Sequence, residues 1–166
     1  MLELLVVRHG IAFERDAKRW PDDRARPLTP EGKHRFRQCA SGIARWFPQV
    51  DLLLTSPLTR ARQTSEILTQ VIGWPKAAER EELDPTTEPR ATLSSLRQPR
   101  VQRLAVVGHE PHLTALIALC VAEPASGLQI KLKKGAVALI VFDSTLTAGG
   151  GELVALIPPR ALRSMG

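Results

Sequence analysis

The sequence contains no tyrosine, and aromatic residues make up only 4% of it. That scarcity removes the stacking platforms on which binders of single-stranded nucleic acid rely, so no nucleic-acid partner is expected. Cysteine is nearly as rare. Cys39 and Cys120 both sit in apolar helical patterns, and neither belongs to a CxxC pair. A zinc site or a disulfide framework is therefore not expected, and buried free thiols in a reducing compartment are. No apolar run reaches membrane-spanning length, and the N-terminus enters a short strand carrying Glu3 instead of a signal peptide. These absences point to a cytoplasmic protein with no membrane partner. Internal repeats and low-complexity linkers are missing as well.

What is present is a globular composition. Hydrophobic residues make up 43% of 166 positions, enough for a single domain, 1–166, with a sizeable core. The formal net charge is +6. That balance suits a plain soluble surface as well as attraction of anionic substrates or acidic partner proteins, and alone does not choose between them.

Four or five apolar runs read as strands: residues 4–7, 52–54, 104–107, 137–142 and 153–157. The first three are short and continuous, as strands covered on both faces are. Thr29-Pro30-Glu31 predicts a helix start, with a capping hydroxyl, proline in the first turn and an acid at the positive helix end; the helix should stop before Pro48. Ser56-Pro57 predicts a second helix to about Ile72 with Gly73 after it, Glu110-Pro111 a third reaching Cys120, and residues 86–97 a short fourth. Residues 11–28 read as an exposed irregular loop, and Gly149-Gly150-Gly151 as the turn of a closing hairpin. The expected architecture is a three-layer α/β/α sandwich with a mainly parallel sheet and an antiparallel C-terminal edge.

Three of these strands end in chemistry. The first ends in Arg8-His9-Gly10, the second in Thr55-Ser56-Pro57-Leu58-Thr59-Arg60, and the third in Gly108-His109-Glu110-Pro111. In open α/β sheets ligands bind beyond the carboxyl ends of the strands, so parallel neighbours would bring Arg8, His9, Arg60 and His109 together. Those groups suit phosphoryl transfer. Two guanidiniums bind phosphoryl oxygens in fork geometry, one neutral imidazole attacks phosphorus, and a second, if protonated, binds an oxygen as it gains charge. No metal-ligand spacing appears, and the two arginines supply charge neutralisation, so neither metal nor other cofactor is expected.

Each group also has a plainer reading: a hydrogen-bonded structural histidine for His9, a salt-bridging strand end for Arg8, a solvated helix face for Arg60 and Arg62, a helix-start polar residue for His109. Their conjunction favours a site. His34 reads as surface and His112 as structural. Lys131, Lys133 and Lys134 alternate around Leu132 and read as an exposed strand edge, with docking of an acidic protein as the alternative.

These segments resemble the signature of the histidine phosphatase superfamily. Arg8-His9-Gly10 is similar to its Arg-His-Gly, residues 56–64 to its Ser-Pro-x-x-Arg-Ala-x-x-Thr, and Gly108-His109 to its Gly-His. Arg26-Pro27-Leu28-Thr29, the length and the Pro158-Pro159-Arg160 ending resemble the SixA-type phosphohistidine phosphatases within it. The resemblance implies a phosphoglycerate mutase-like fold, His9 as nucleophile, Arg8 and Arg60 as phosphate ligands, and His109 as a second phosphate-site imidazole. Arg26 is left between the pocket mouth and a helix-entry salt bridge.

Alcohol-phosphate members of the superfamily use an acidic proton donor; the candidates here are Glu82, Asp84 and Glu110, each equally readable as a solvated carboxylate. Phosphohistidine does not require that donor, because its leaving imidazole has an ordinary pKa of about 6.5 and already carries a proton near neutrality. The expectation is a metal-independent phosphatase acting through a phosphohistidine intermediate on a phosphohistidine-bearing signalling or phosphotransfer protein. A small-molecule phosphomonoesterase acting on phosphorylated metabolites and a noncatalytic phosphoprotein-binding module are the alternatives.

Overall fold

The computed structural model describes residues 1–98, 100–122 and 127–166. Within them, six strands form one sheet: β1 (Leu2–Arg8), β2 (Leu52–Thr55), β3 (Ala78–Glu79), β4 (Arg103–Gly108), β5 (Val137–Phe142) and β6 (Gly151–Ile157). Their spatial order is β3-β2-β4-β1-β5-β6. The first four run parallel, and β5 and β6 antiparallel, as the sequence pattern predicts.

Strand alternation divides the core into two halves. Leu4, Val6, Leu104 and Val106 face α3 (Pro89–Ser95) and α4 (His112–Val121). Leu5, Val7, Ala105 and Val107 face α1 (Pro30–Trp46), α2 (Thr59–Ile72) and α5 (Pro159–Met165). The result is the three-layer sandwich. Both faces of the central strands are covered, which is why those strands read as continuous apolar runs.

Helix α1 begins as its sequence dictates, with Thr29 Oγ1 accepting from the Gly32 N–H at 2.8 Å and Pro30 in the first turn. Its packing depends on missing side chains. A Cβ on Gly32 would lie 2.0 Å from the Ile11 carbonyl oxygen, and one on Gly42 would lie 2.0 Å from that of Leu162. These two glycines let the loop after His9 and α5 press against the helix.

Several expectations need correction. Helix α2 starts at Thr59, not at Ser56-Pro57, because Ser56 is spent on a turn: its Oγ accepts from the Leu58 N–H. Helix α4 likewise starts at His112, with Pro111 as its cap. Residues 131–134 form no strand; they lead into β5 through a turn with the lysines exposed and Leu132 buried. The 11–28 loop is irregular but not wholly exposed. Ala12 and Leu28 are buried and bridge each other, and Asp23–Ala25 forms a 3-10 turn. Strand β3 and helix α5 were not foreseen. Cys39 and Cys120 are buried free thiols, and among the described residues no helix is long and apolar enough to cross a membrane.

Candidate active site

Sheet register builds the site. Arg8 pairs with Gly108 across β1 and β4, and Thr55 with Val107 across β2 and β4. One residue further along each chain come His9, His109 and Ser56, so three segments distant in sequence emerge side by side at one sheet end. Backbone bonds carry the alignment past the strands: the His9 N–H donates to Gly108 O at 3.1 Å, and the Ser56 N–H to Val107 O at 2.9 Å. The imidazoles of His9 and His109 stand 5.0 Å apart between centroids, tilted by 51°.

His9 is buried and held at one nitrogen. Its Nδ1 lies 2.6 Å from the Gly10 carbonyl oxygen. A carbonyl can only accept, so Nδ1 carries the proton and Nε2 presents its lone pair. Burial, above all, pushes the His9 pKa down to about 3; the Gly10 bond opposes this, and Arg60, Arg8 and Lys134 add to it. The ring is therefore neutral at pH 7, the state a nucleophile needs. Gly10 is fixed in turn by its N–H donating to Thr64 Oγ1 at 3.1 Å, while that hydroxyl donates to Arg60 O at 2.7 Å.

His109 is buried too, with Nε2 2.7 Å from Ser56 Oγ. Burial first, then the nearness of the His9 imidazole, the Arg60 guanidinium, the His112 imidazole and the Arg8 guanidinium, lower its pKa to about 2.

Both arginines are anchored with donors to spare. Arg8 Nη1 donates to Leu132 O at 2.8 Å, so the lysine segment contributes a backbone acceptor to the site. Arg60 Nη1 donates to Asp23 O at 2.9 Å, and its Nη2 lies 3.2 Å from the Asp23 carboxylate. In each guanidinium Nε is buried without a protein partner, as is Nδ1 of His109. Unpartnered buried donors are costly. Each arginine thus keeps an unpartnered Nε–H, the kind of donor that an oxyanion can satisfy.

Arg26 makes the salt bridge: Nε lies 2.7 Å from Asp23 Oδ1, and Nη1 donates to Phe13 O. Asp23 thus joins Arg26 to Arg60, a role that no local pattern in the sequence announces. Arg62 pairs with Glu79 at 3.6 Å on the solvated face of α2. His34 is exposed. His112 is buried, with Nε2 2.8 Å from Thr92 Oγ1, and ties α4 to α3.

The acid candidates separate clearly. Burial raises the Asp84 pKa, but the Thr86 hydroxyl and N–H and the Arg24 guanidinium outweigh it and hold the carboxyl below its usual value. Arg24 Nη1 lies 2.6 Å from Asp84 Oδ2, so this carboxylate is ionised and occupied. Glu82 lies in the 3-10 turn Glu81–Leu83, where its carbonyl accepts from Thr92. Glu110 accepts from the Thr114 hydroxyl through Oε2 and leaves Oε1 buried without a partner. Among the described residues, no group of three or more His, Cys, Asp or Glu is arranged to hold a metal ion.

Known proteins resemble this chain in sequence and in fold. Residues 4–85 match the model of the histidine phosphatase superfamily (branch 1). An uncharacterized protein of Picosynechococcus sp. is 34% identical over 139 residues, covering 82% of each chain. Phosphohistidine phosphatase SixA of Escherichia coli is 31% identical over 127 residues, 74% of this chain and 76% of that one. The solved structure of the protein histidine phosphatase SixA complexed with tungstate superposes with a TM-score of 0.83 at 24% identity, covering 97% of this chain and 99% of the other. The chain belongs to the histidine phosphatase superfamily and is a SixA-like phosphatase within it.

Proposed function

We propose that this phosphatase removes phosphoryl groups from phosphohistidine in proteins, with His9 as nucleophile. The observation that carries the reading is the His9–Gly10 contact: it leaves Nε2 bare and unprotonated beside His109 and among cations. Arg8, Arg60 and His109 bind the phosphoryl oxygens. Nε2 attacks phosphorus, forming a new P–N bond as the substrate's P–N bond breaks, and the leaving imidazole departs with a proton. Water then attacks the phosphorus of the adduct. A P–O bond forms, the P–Nε2 bond breaks, orthophosphate leaves, and the proton lost by water passes to a phosphate oxygen or to solvent.

The state of the carboxylates supports a nitrogen leaving group. An alcohol needs a general acid, worth roughly 10²–10⁴ in rate, and Asp84 is ionised and held by Arg24 and Thr86. The second reading, a phosphomonoesterase for small metabolites, draws on one observation. Glu110 leaves Oε1 buried without a partner.

Hydrolysis of a phosphohistidine peptide compared with sugar phosphates separates the two. The expected result is a kcat/KM about 10²-fold or more higher for the peptide, the penalty for an ester without its acid. A preference for the esters would reverse the assignment.

A further inference from the structure

The hydrogen bond between Ser56 and His109 has one chemically consistent direction, and that direction decides which nitrogen of His109 carries the proton. Ser56 is fully buried. Its hydroxyl has two neighbours: the Leu58 N–H donates to Oγ at 3.3 Å, and His109 Nε2 lies at 2.7 Å. A hydroxyl supplies one proton and accepts up to two, while a neutral imidazole has one donor and one acceptor nitrogen. Among the described residues, Oγ makes no other hydrogen bond, so His109 Nε2 is the available acceptor for its proton.

Suppose Nε2 held the imidazole proton. Two N–H groups would then converge on Oγ, and the hydroxyl proton would be buried without an acceptor, an arrangement that buried polar groups avoid. With Nε2 bare, the hydroxyl donates to it, the Leu58 N–H takes a remaining lone pair, and each group is satisfied. The imidazole proton then sits on Nδ1, the nitrogen that is buried without a protein partner in the ring facing His9.

We infer that Ser56 is a positioning residue that locks His109 as its Nδ1–H tautomer, so that a neutral imidazole donates a hydrogen bond to the transferring phosphoryl group. The inference rests on the functional reading above, in which that group meets Nε2 of His9 and is bound by His109. It differs from the sequence-based reading, in which the second imidazole, if protonated, binds an oxygen as it gains charge. The two histidines become complementary. The Gly10 carbonyl fixes His9 with a bare nitrogen for attack, and the Ser56 hydroxyl fixes His109 with a proton for binding. A cationic His109 would release its oxygen as the pH rose through its pKa, whereas a tautomer held by Ser56 keeps its donor across neutral pH.

The test is nitrogen NMR of the full chain labelled at histidine, at pH 7, with and without inorganic phosphate, using His109→Asn to assign the signals. The expected wild-type spectrum shows a proton on Nδ1 of His109 and none on Nε2. In Ser56→Ala the Nε2–H form should appear and kcat/KM on a phosphohistidine peptide should fall about 10²-fold, the loss typical of one misplaced oxyanion donor. Ser56→Thr, which keeps the hydroxyl, should restore both. An Nε2–H tautomer in the wild type, an unchanged tautomer in Ser56→Ala, or an altered tautomer at an unaltered rate would overturn the inference. The tautomer is read without turnover. If Ser56→Ala does not fold, the wild-type spectrum still decides, and a chain that leaves phosphohistidine intact still reports on the Ser56 lock.

Discussion

The imidazoles of His9 and His109 stand 5.0 Å apart between centroids because β1 and β4 are parallel neighbours with Arg8 opposite Gly108. Register, and not proximity in the chain, makes the pair. Each ring is then polarised by a different neighbour, the Gly10 carbonyl for His9 and the Ser56 hydroxyl for His109. Two identical side chains thereby receive different hydrogen-bond partners.

Arg60→Ala should weaken both substrate binding and turnover. Each charge-assisted bond is worth about 1.5–3 kcal/mol, so kcat/KM should fall roughly 10- to 150-fold per lost bond. Steady-state kinetics on a phosphohistidine peptide checks this, and unchanged constants would remove Arg60 from the site.

Asp84→Asn should leave kcat/KM on the same peptide within about threefold. Its carboxylate is held by Arg24 and Thr86 and is not a proton donor for a nitrogen leaving group. A loss of 10²-fold or more, in a variant shown to be folded, would mark it as the acid.

Stability should decline as the pH falls below about 6.5. His9 and His109 are neutral in the fold, with pKa values of about 3 and about 2, while in the unfolded chain they titrate near 6.5. The unfolded state therefore binds more protons below that pH, and unfolding becomes easier by up to about 1.4 kcal/mol per pH unit for each histidine until the folded pKa is reached. Urea midpoints at pH 7 and pH 5 measure this, and the double variant His9→Asn, His109→Asn should flatten the trend. Equal wild-type midpoints would contradict the burial of two uncharged imidazoles.

Gly42→Ala should destabilise the fold by about 1–3 kcal/mol, since its Cβ would meet the Leu162 carbonyl at 2.0 Å and force α5 away from α1. Thermal unfolding checks it. An unchanged Tm would mean that α5 yields freely.

Much of this was legible in the chain because the physics involved is local. Continuous apolar runs marked the buried parallel strands, Thr29-Pro30 marked the start of α1, and polar tripeptides at strand ends marked where side chains turn from core to site. The predicted convergence of Arg8, His9, Arg60 and His109 followed from one assumption, parallel neighbouring strands, which the sheet order bears out. What escaped notice depends on distant contacts. Asp23 meets Arg60 only because the 11–28 loop folds back over α2. Ser56 reads as a helix cap until β4 brings His109 beside it. The lysines of residues 131–134 suggested a strand by alternation, but Leu132 is buried beneath a turn, where its carbonyl holds Arg8.

The most direct test of nucleophilic catalysis is to expose the protein to a phosphoryl donor, quench it, and locate the label by mass spectrometry. The expected product is an acid-labile, base-stable phosphate on His9. It should be absent from His9→Ala, which should lose turnover by about 10³-fold or more while still binding inorganic phosphate. Phosphate found on another residue, or turnover retained by His9→Ala, would contradict the central role of His9.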